Sequence, residues 1–205
     1  MLEDTGERVI PENMKITNEL LVEHVARYHF ASEHVYGRVL DFASGAGFGT
    51  HILAKKGRKS VSEVVGIDVD PDAVQYARGT YYHPISAFTE GDVTDPGLPD
   101  KLGQFDSVVS FETMEHVEAE EQFLANVYTL LKPGGTLVLS TPFGKGRGKP
   151  CGSPFHVHQL TVDEFTQLFP DYTSVGFYFQ KGALIKPADD HHGGHYPLGI
   201  AVCEK

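Results

Sequence analysis

The stretch that most constrains this chain is Val39-Leu40-Asp41-Phe42-Ala43-Ser44-Gly45-Ala46-Gly47-Phe48-Gly49. Arg38 to Phe42 reads as a short buried strand, and three glycines alternate where that strand gives way to a helix. Glycine lets the backbone turn tightly and approach a ligand closely, while the N–H groups of the following helix point at it. A strand, a glycine turn and a helix are the opening unit of an open α/β sheet. Taken alone, the turn also suits a dinucleotide-binding fold, or a tight corner that holds no ligand.

The rest of the chain repeats the alternation. Residues 16–31 carry Leu20, Leu21, Val25 and Tyr28 at helical spacing, and a helix is expected from about Gly47 to Lys56. Val64 to Asp68 reads as a second strand, with Pro71 opening a helix where its missing N–H costs nothing. Ser86–Glu90 and Phe105–Ser110 read as strands three and four, followed by a long helix from about Glu115 to Leu131. Lys132-Pro133-Gly134-Gly135 is a stop and turn before a fifth strand, Thr136–Ser140. A short helix near 161–169 and strands near 174–180 and 198–204, paired as an edge hairpin, complete the pattern. Strands that are apolar throughout and alternate with helices belong to a sheet covered on both faces. The fold expected is a Rossmann-like, doubly wound α/β domain with a mostly parallel seven-stranded sheet and an antiparallel edge hairpin. One domain is expected over 1–205, with 1–36 as a helical cap and 143–160 as a mobile loop over the site.

The glycine spacing separates two cofactor classes. The dinucleotide fingerprint is G-x-G-x-x-G, whereas here Gly45, Gly47 and Gly49 alternate after Asp41. That order resembles motif I of the class I S-adenosylmethionine-dependent methyltransferases, and further segments continue the likeness. Asp68 ends the second strand and Glu90-Gly91-Asp92-Val93 follows the third. Phe105 to Glu112 follows the family's fourth strand, Phe111 to Val117 its methyl-transfer segment, and Leu131 to Leu137 its turn before strand five. The resemblance runs over residues 38–141 and is closest to the small-molecule branch sometimes called type 11. It implies S-adenosylmethionine as cofactor, held by Asp41, Ala43, Gly45, Gly47, Asp68, Val69, Asp92, Val93, Phe111 and, from the N-terminal cap, Tyr28. It also implies Glu112 near the methionine part, and places Phe155-His156-Val157-His158 beside the substrate pocket. A non-catalytic cofactor-binding protein and a nicotinamide-dependent oxidoreductase are the rival readings.

Methyl transfer from a sulfonium needs positioning and exclusion of water more than covalent help. A hydroxyl acceptor gains from a general base, and His116, His156 and His158 are of the right chemical type. The catalytic candidates are His116, His156 and Glu112. Lys145, Arg147 and Lys149 gather positive charge beside the expected pocket, so an anionic acceptor is one expectation and a solvated loop the other. Asp189-Asp190-His191-His192-Gly193-Gly194-His195 contains metal-ligating residue types, but its spacing fits no structural zinc pattern and no metal ligand is assigned.

Seventeen Lys and Arg against 28 Asp and Glu give a net charge of −11, which opposes binding to a phosphate backbone. No Asn/Asp-Pro-Pro-aromatic segment follows strand four, so the acceptor expected is a small molecule rather than nucleic acid. Cys151 and Cys203 form no disulfide framework, the first residues are unlike a signal peptide, and no apolar run approaches the roughly 18–20 residues of a membrane span. A cytoplasmic protein is expected. The motifs do not name the acceptor, which stays open among a sugar, a quinone-like ring, a carboxylate and an amine.

Overall fold

The computed structural model describes residues 2, 6–57, 60–190 and 196–205, which places His191, His192 and His195 of the Asp/His segment outside the described residues. Its centre is a sheet whose first five strands are β1 (Gly37–Phe42), β2 (Val61–Asp68), β3 (Ser86–Glu90), β4 (Phe105–Phe111) and β5 (Leu131–Pro142). The remaining three are β6 (Ser174–Lys181), β7 (Leu184–Pro187) and β8 (Leu198–Glu204). The spatial order is β3-β2-β1-β4-β5-β8-β6-β7. Strands β1 to β5 pair in parallel, while β8 runs antiparallel to both β5 and β6.

The helices are α1 (Glu19–Ala31), α2 (Phe48–Lys56), α3 (Pro71–Thr80), α4 (Leu98–Leu102), α5 (Glu120–Leu130) and α6 (Val162–Thr166). Local chemistry sets several starts. Asn18 accepts the Leu21 N–H at α1, Asp70 accepts the Asp72 N–H at α3, and Thr161 with Glu164 forms a reciprocal cap at α6. Two apolar layers cover the sheet. One includes Tyr28, Val39, Leu53, Val64, Phe88 and Val109, and the other Leu40, Phe42, Ile67, Val108, Phe123 and Leu137. Val39 and Leu40 thus fall on opposite faces, as pleated neighbours must. Among the described residues, no helix is long and apolar enough to cross a membrane.

Three expectations are corrected. The sheet has eight strands, because Gly182, at φ +58°, turns the chain so that Leu184–Pro187 pairs with β6. That segment, Leu184-Ile185-Lys186-Pro187, is too short and too close to a proline to read as a strand. Segments 174–180 and 198–204 do pair antiparallel, but the tight hairpin is β6–β7, and β8 inserts between β6 and β5. The long helix from Glu115 is broken: Met114–His116 forms a 3₁₀ turn, Val117 is extended, and α5 begins only at Glu120.

The glycines of the 45–49 turn divide their work. A Cβ at Gly49 would stand 1.9 Å from the Tyr28 ring, and one at Gly47 would stand 2.5 Å from Ala77 Cβ. A Cβ at Gly45 would meet nothing within 4 Å. Two of the three glycines therefore permit packing, and only Gly45 faces open space. Gly49→Ala should destabilise the fold by about 1–3 kcal/mol through overpacking against Tyr28. Urea denaturation checks this, with Gly45→Ala as the comparison for steric crowding.

Candidate active site

At the carboxyl ends of β1, β2 and β4 lies a cavity of about 440 Å³, where open α/β sheets hold their ligands and within the size range of small-molecule sites. One wall is built by Ala43, Gly45 and Phe48 of the glycine turn, with Asp68 and Val69 beside them. Gly91, Asp92 and Val93 follow from the turn after β3, and Phe111, Glu112 and His116 from the segment after β4. Glu7, Arg8, Val9 and Phe155 contribute from either end of the chain. Of the residues singled out in the sequence, Ala43, Gly45, Asp68, Val69, Asp92 and Val93 come together here, as do Phe111, Tyr28, Glu112 and His116.

Asp41, Gly47 and His156 do not line this cavity. Asp41 lies beneath the turn, where its carboxylate accepts hydrogen bonds from Tyr28 Oη at 3.0 Å and Thr50 Oγ1 at 2.6 Å. Burial raises its pKa to about 6 against the opposing effect of those two bonds. Gly47 is turned toward Ala77 and Phe88. His156 sits behind the rim, with Nε2 3.5 Å from Glu7 Oε1.

The loop at Asp68 is fixed by its own backbone. The Gly45 N–H donates to Asp68 Oδ2 at 2.8 Å, and the Asp70 N–H donates to Oδ1 at 3.0 Å. The Arg8 guanidinium closes the same corner by pairing with Asp70 at 2.7 Å. Across the cavity, the buried Asn126 amide donates to the carbonyls of Val93 and Asp95, both at 2.9 Å. Asp92 Oδ1 accepts from the Thr94 N–H and hydroxyl at 2.8 and 2.7 Å. Val69 is 70% exposed, which leaves an apolar side chain uncovered at the cavity wall.

Glu112 has a left-handed backbone, φ +47°, an uncommon state for a residue with a Cβ. Its carboxylate accepts from the buried Arg27 guanidinium, with His24 Nε2 3.4 Å away. Arg27 also donates to Gln180 Oε1 at 3.0 Å. Burial lowers the Arg27 pKa to about 10, which leaves it charged at neutral pH. Burial, reinforced by the Arg27 charge, lowers His24 to about 3, so His24 is neutral there.

The histidines have different settings. His116 Nδ1 is 3.2 Å from the Phe155 carbonyl and Nε2 is 3.8 Å from Glu7 Oε2. His158 does not line the cavity, and its Nε2 lies 3.3 Å from Glu120. For Lys145, Arg147 and Lys149, the position agrees with the solvated-loop reading rather than with an anion site in the pocket. None of them lines it, and the Arg147 guanidinium is engaged by Glu120, with its backbone N–H on Glu164 at 3.2 Å. The Gly6-Glu7-Arg8 stretch resembles an N-terminal segment that folds over the cofactor in some family members, and Glu7 and Arg8 do line the cavity; Val9 beside them carried no such signal in the sequence.

These features have counterparts in known proteins. The sequence profile described as "Methyltransferase domain" matches residues 40–139. A probable S-adenosylmethionine-dependent methyltransferase of Mycolicibacterium smegmatis is 32% identical over 200 residues, spanning 93% of this chain and 73% of that protein. This chain belongs to the S-adenosylmethionine-dependent methyltransferases. Its cofactor is accordingly S-adenosylmethionine. A ubiquinone biosynthesis O-methyltransferase of Xanthomonas campestris is 34% identical over 108 residues, 51% of this chain and 42% of that one. The solved DhpI–SAM–HEP complex shares the fold at TM-score 0.65 and 16% identity, covering 93% of this chain and 89% of that one.

One buried acid in this methyltransferase lies just outside the cavity. Glu115 Oε2 accepts from Thr141 at 3.1 Å, while Oε1 is buried without a partner. Burial raises its pKa to about 8 from an ordinary 4.5. The folded chain therefore keeps a proton that the unfolded chain releases, and the stability this provides is complete below pH 4.5 and lost as pH rises through 8. Glu115→Gln should match the parent near pH 5 and exceed it by about 1–3 kcal/mol at pH 9. Denaturation curves at the two pH values check the sign.

Proposed function

We propose that this methyltransferase acts in the cytosol on a small-molecule acceptor, at an oxygen atom, by in-line displacement within the described cavity. The observation that carries the reading is the cavity's two-ended character. One end presents Gly45, Asp68 and the 91–93 turn, and the other presents Glu7, His116 and Phe155.

The first end fits the cofactor. Gly45 offers an approach that no side chain fills, and the Asp68 carboxylate stands at the wall with its backbone bonds holding it in place. Asp68 binds the ribose hydroxyls, and Val69 and Val93 enclose the adenine with Asp92 at its edge. Phe111 and Tyr28 pack beneath the methionine part, while Glu112, held by Arg27 and His24, shapes the wall there. Asp41 acts through Tyr28 and Thr50 rather than by contact. When bound, S-adenosylmethionine supplies a methyl on a sulfonium, and its loss leaves a neutral thioether.

At the second end, His116 and the residues around it favour loss of the acceptor's proton, and Glu7 to Val9 with Phe155 keep water out. Coverage from both sides suits a compact acceptor, and the net charge of −11 disfavours a nucleic acid. The O-methyltransferase named among the relatives supports oxygen as the receiving atom. The two cysteines are unpaired, which agrees with a reducing compartment.

The test is release of S-adenosylhomocysteine with a panel of phenols, hydroxy acids, amines and RNA. Turnover with hydroxylated small molecules is expected, and turnover with RNA alone would overturn the reading. Asp68→Ala should weaken S-adenosylmethionine binding about 10–100-fold in calorimetric titration, the worth of hydrogen bonds to a charged group. His116→Ala should leave that affinity unchanged while lowering kcat about 10²–10⁴-fold.

A further inference from the structure

Where Glu7 and His116 meet at the cavity wall, with His156 just behind them, the structure carries more ligating chemistry than methyl transfer alone requires. Glu7, His116 and His156 each present one ligand atom, and these atoms all lie within 4.8 Å of one another. Glu7 Oε2 is 3.8 Å from His116 Nε2, and Glu7 Oε1 is 3.5 Å from His156 Nε2. Ligand atoms at about 2.0–2.2 Å around a tetrahedral ion stand roughly 3.3–3.6 Å apart, so a small closure would seat one. The imidazole rings meet edge to face at 4.8 Å, which keeps both nitrogens near the carboxylate.

The outer contacts of His116 and Glu7 suit ligation. A carbonyl oxygen only accepts, so the contact of His116 Nδ1 with Phe155 places the ring hydrogen on Nδ1. The lone pair is then on Nε2, facing Glu7, in the arrangement by which an outer partner fixes a ligating imidazole. The Ser153 hydroxyl donates to Glu7 Oε1 at 2.7 Å and orients that carboxylate in turn. The His156 side chain is only 10% exposed, and its Nδ1 is buried without a partner.

We propose that Glu7, His116 and His156 form a binding site for a divalent first-row transition ion of the zinc class. Two imidazole nitrogens and one carboxylate favour such an ion over magnesium or calcium, whose ligands are oxygens. Three protein ligands leave a position open toward the cavity that Glu7 and His116 line. An acceptor hydroxyl bound there gives up its proton more readily, outward to solvent past the partly exposed Glu7 and His116, since a coordinated ion stabilises the oxyanion. The oxygen then takes the methyl as the sulfonium keeps the electron pair. The ion site stands on its own geometry, whereas its role in proton loss rests on the hydroxyl-acceptor reading.

Equilibrium dialysis of metal-stripped protein against Zn²⁺ and Co²⁺, with metal analysis and visible spectra, tests the site directly. One ion per chain and Co²⁺ absorption bands are expected. Glu7→Gln and His116→Ala should each weaken retention at least tenfold. A triple alanine variant at His191, His192 and His195 should bind normally. Glu7 is partly exposed, so its variant keeps the fold, and circular dichroism verifies this for each protein. No stoichiometric ion, or loss of binding only in the triple variant, overturns the site. Undiminished methyl transfer by metal-free protein overturns the ion's part in the reaction. Ion binding without turnover of any hydroxylated small molecule overturns the acceptor reading and leaves the site standing.

Discussion

The Tyr28 side chain holds the amino-terminal helix against the sheet at the point where the glycine turn begins. Its ring fills the space that the missing Cβ of Gly49 leaves, and it packs edge to face on Phe48 and Phe111 at centroid distances of 5.6 and 5.0 Å. Its hydroxyl reaches the buried Asp41 carboxylate at the end of β1. A carboxylate in that position is costly to bury unless its oxygens are satisfied, and Tyr28 and Thr50 satisfy one each. One residue of α1 thus joins β1, α2 and the end of β4, whose ends help build the cavity wall.

The neighbouring Arg27 performs the electrostatic counterpart. It is fully buried and bonds to Glu112 after β4 and to Gln180 in β6. Gln180 in turn donates to the Glu23 carbonyl at 3.0 Å, closing the link back to α1. Removing one member of a buried ionic group leaves the other uncompensated, so these contacts constrain α1, the unusual backbone at Glu112 and β6 together. That coupling keeps the 112–116 segment in place, and with it the imidazole of His116.

The order of elements from β1 to β5 was legible because it is written in local pattern: apolar strands, a turn of alternating glycines, Pro71 at a helix start, Gly134 at a corner. That side of the cavity wall was legible for the same reason, since Gly45, Asp68 and the 91–93 turn each follow a strand end. What escaped depends on contacts distant in sequence. Nothing local to Gly47 or Gly49 distinguishes packing against Ala77 or Tyr28 from approach to a ligand. Glu7 reads as part of a segment over the cofactor, but nothing local to it announces His116 and His156 as neighbours until the chain folds. The basic loop at 145–149 invited an anion, but Arg147 had acidic neighbours in Glu120 and Glu164 that only the tertiary structure supplies.

Strand β7 carries a consequence for how the molecule behaves among its own copies. The outermost strand of an open sheet exposes unpaired peptide groups that can template pairing with another chain. Here that strand is four residues long, includes Lys186, and ends at Pro187, which has no N–H to offer. The opposite border, β3, is also brief at five residues. The sheet therefore presents little ladder to an incoming strand at either margin, which disfavours edge-to-edge growth between copies.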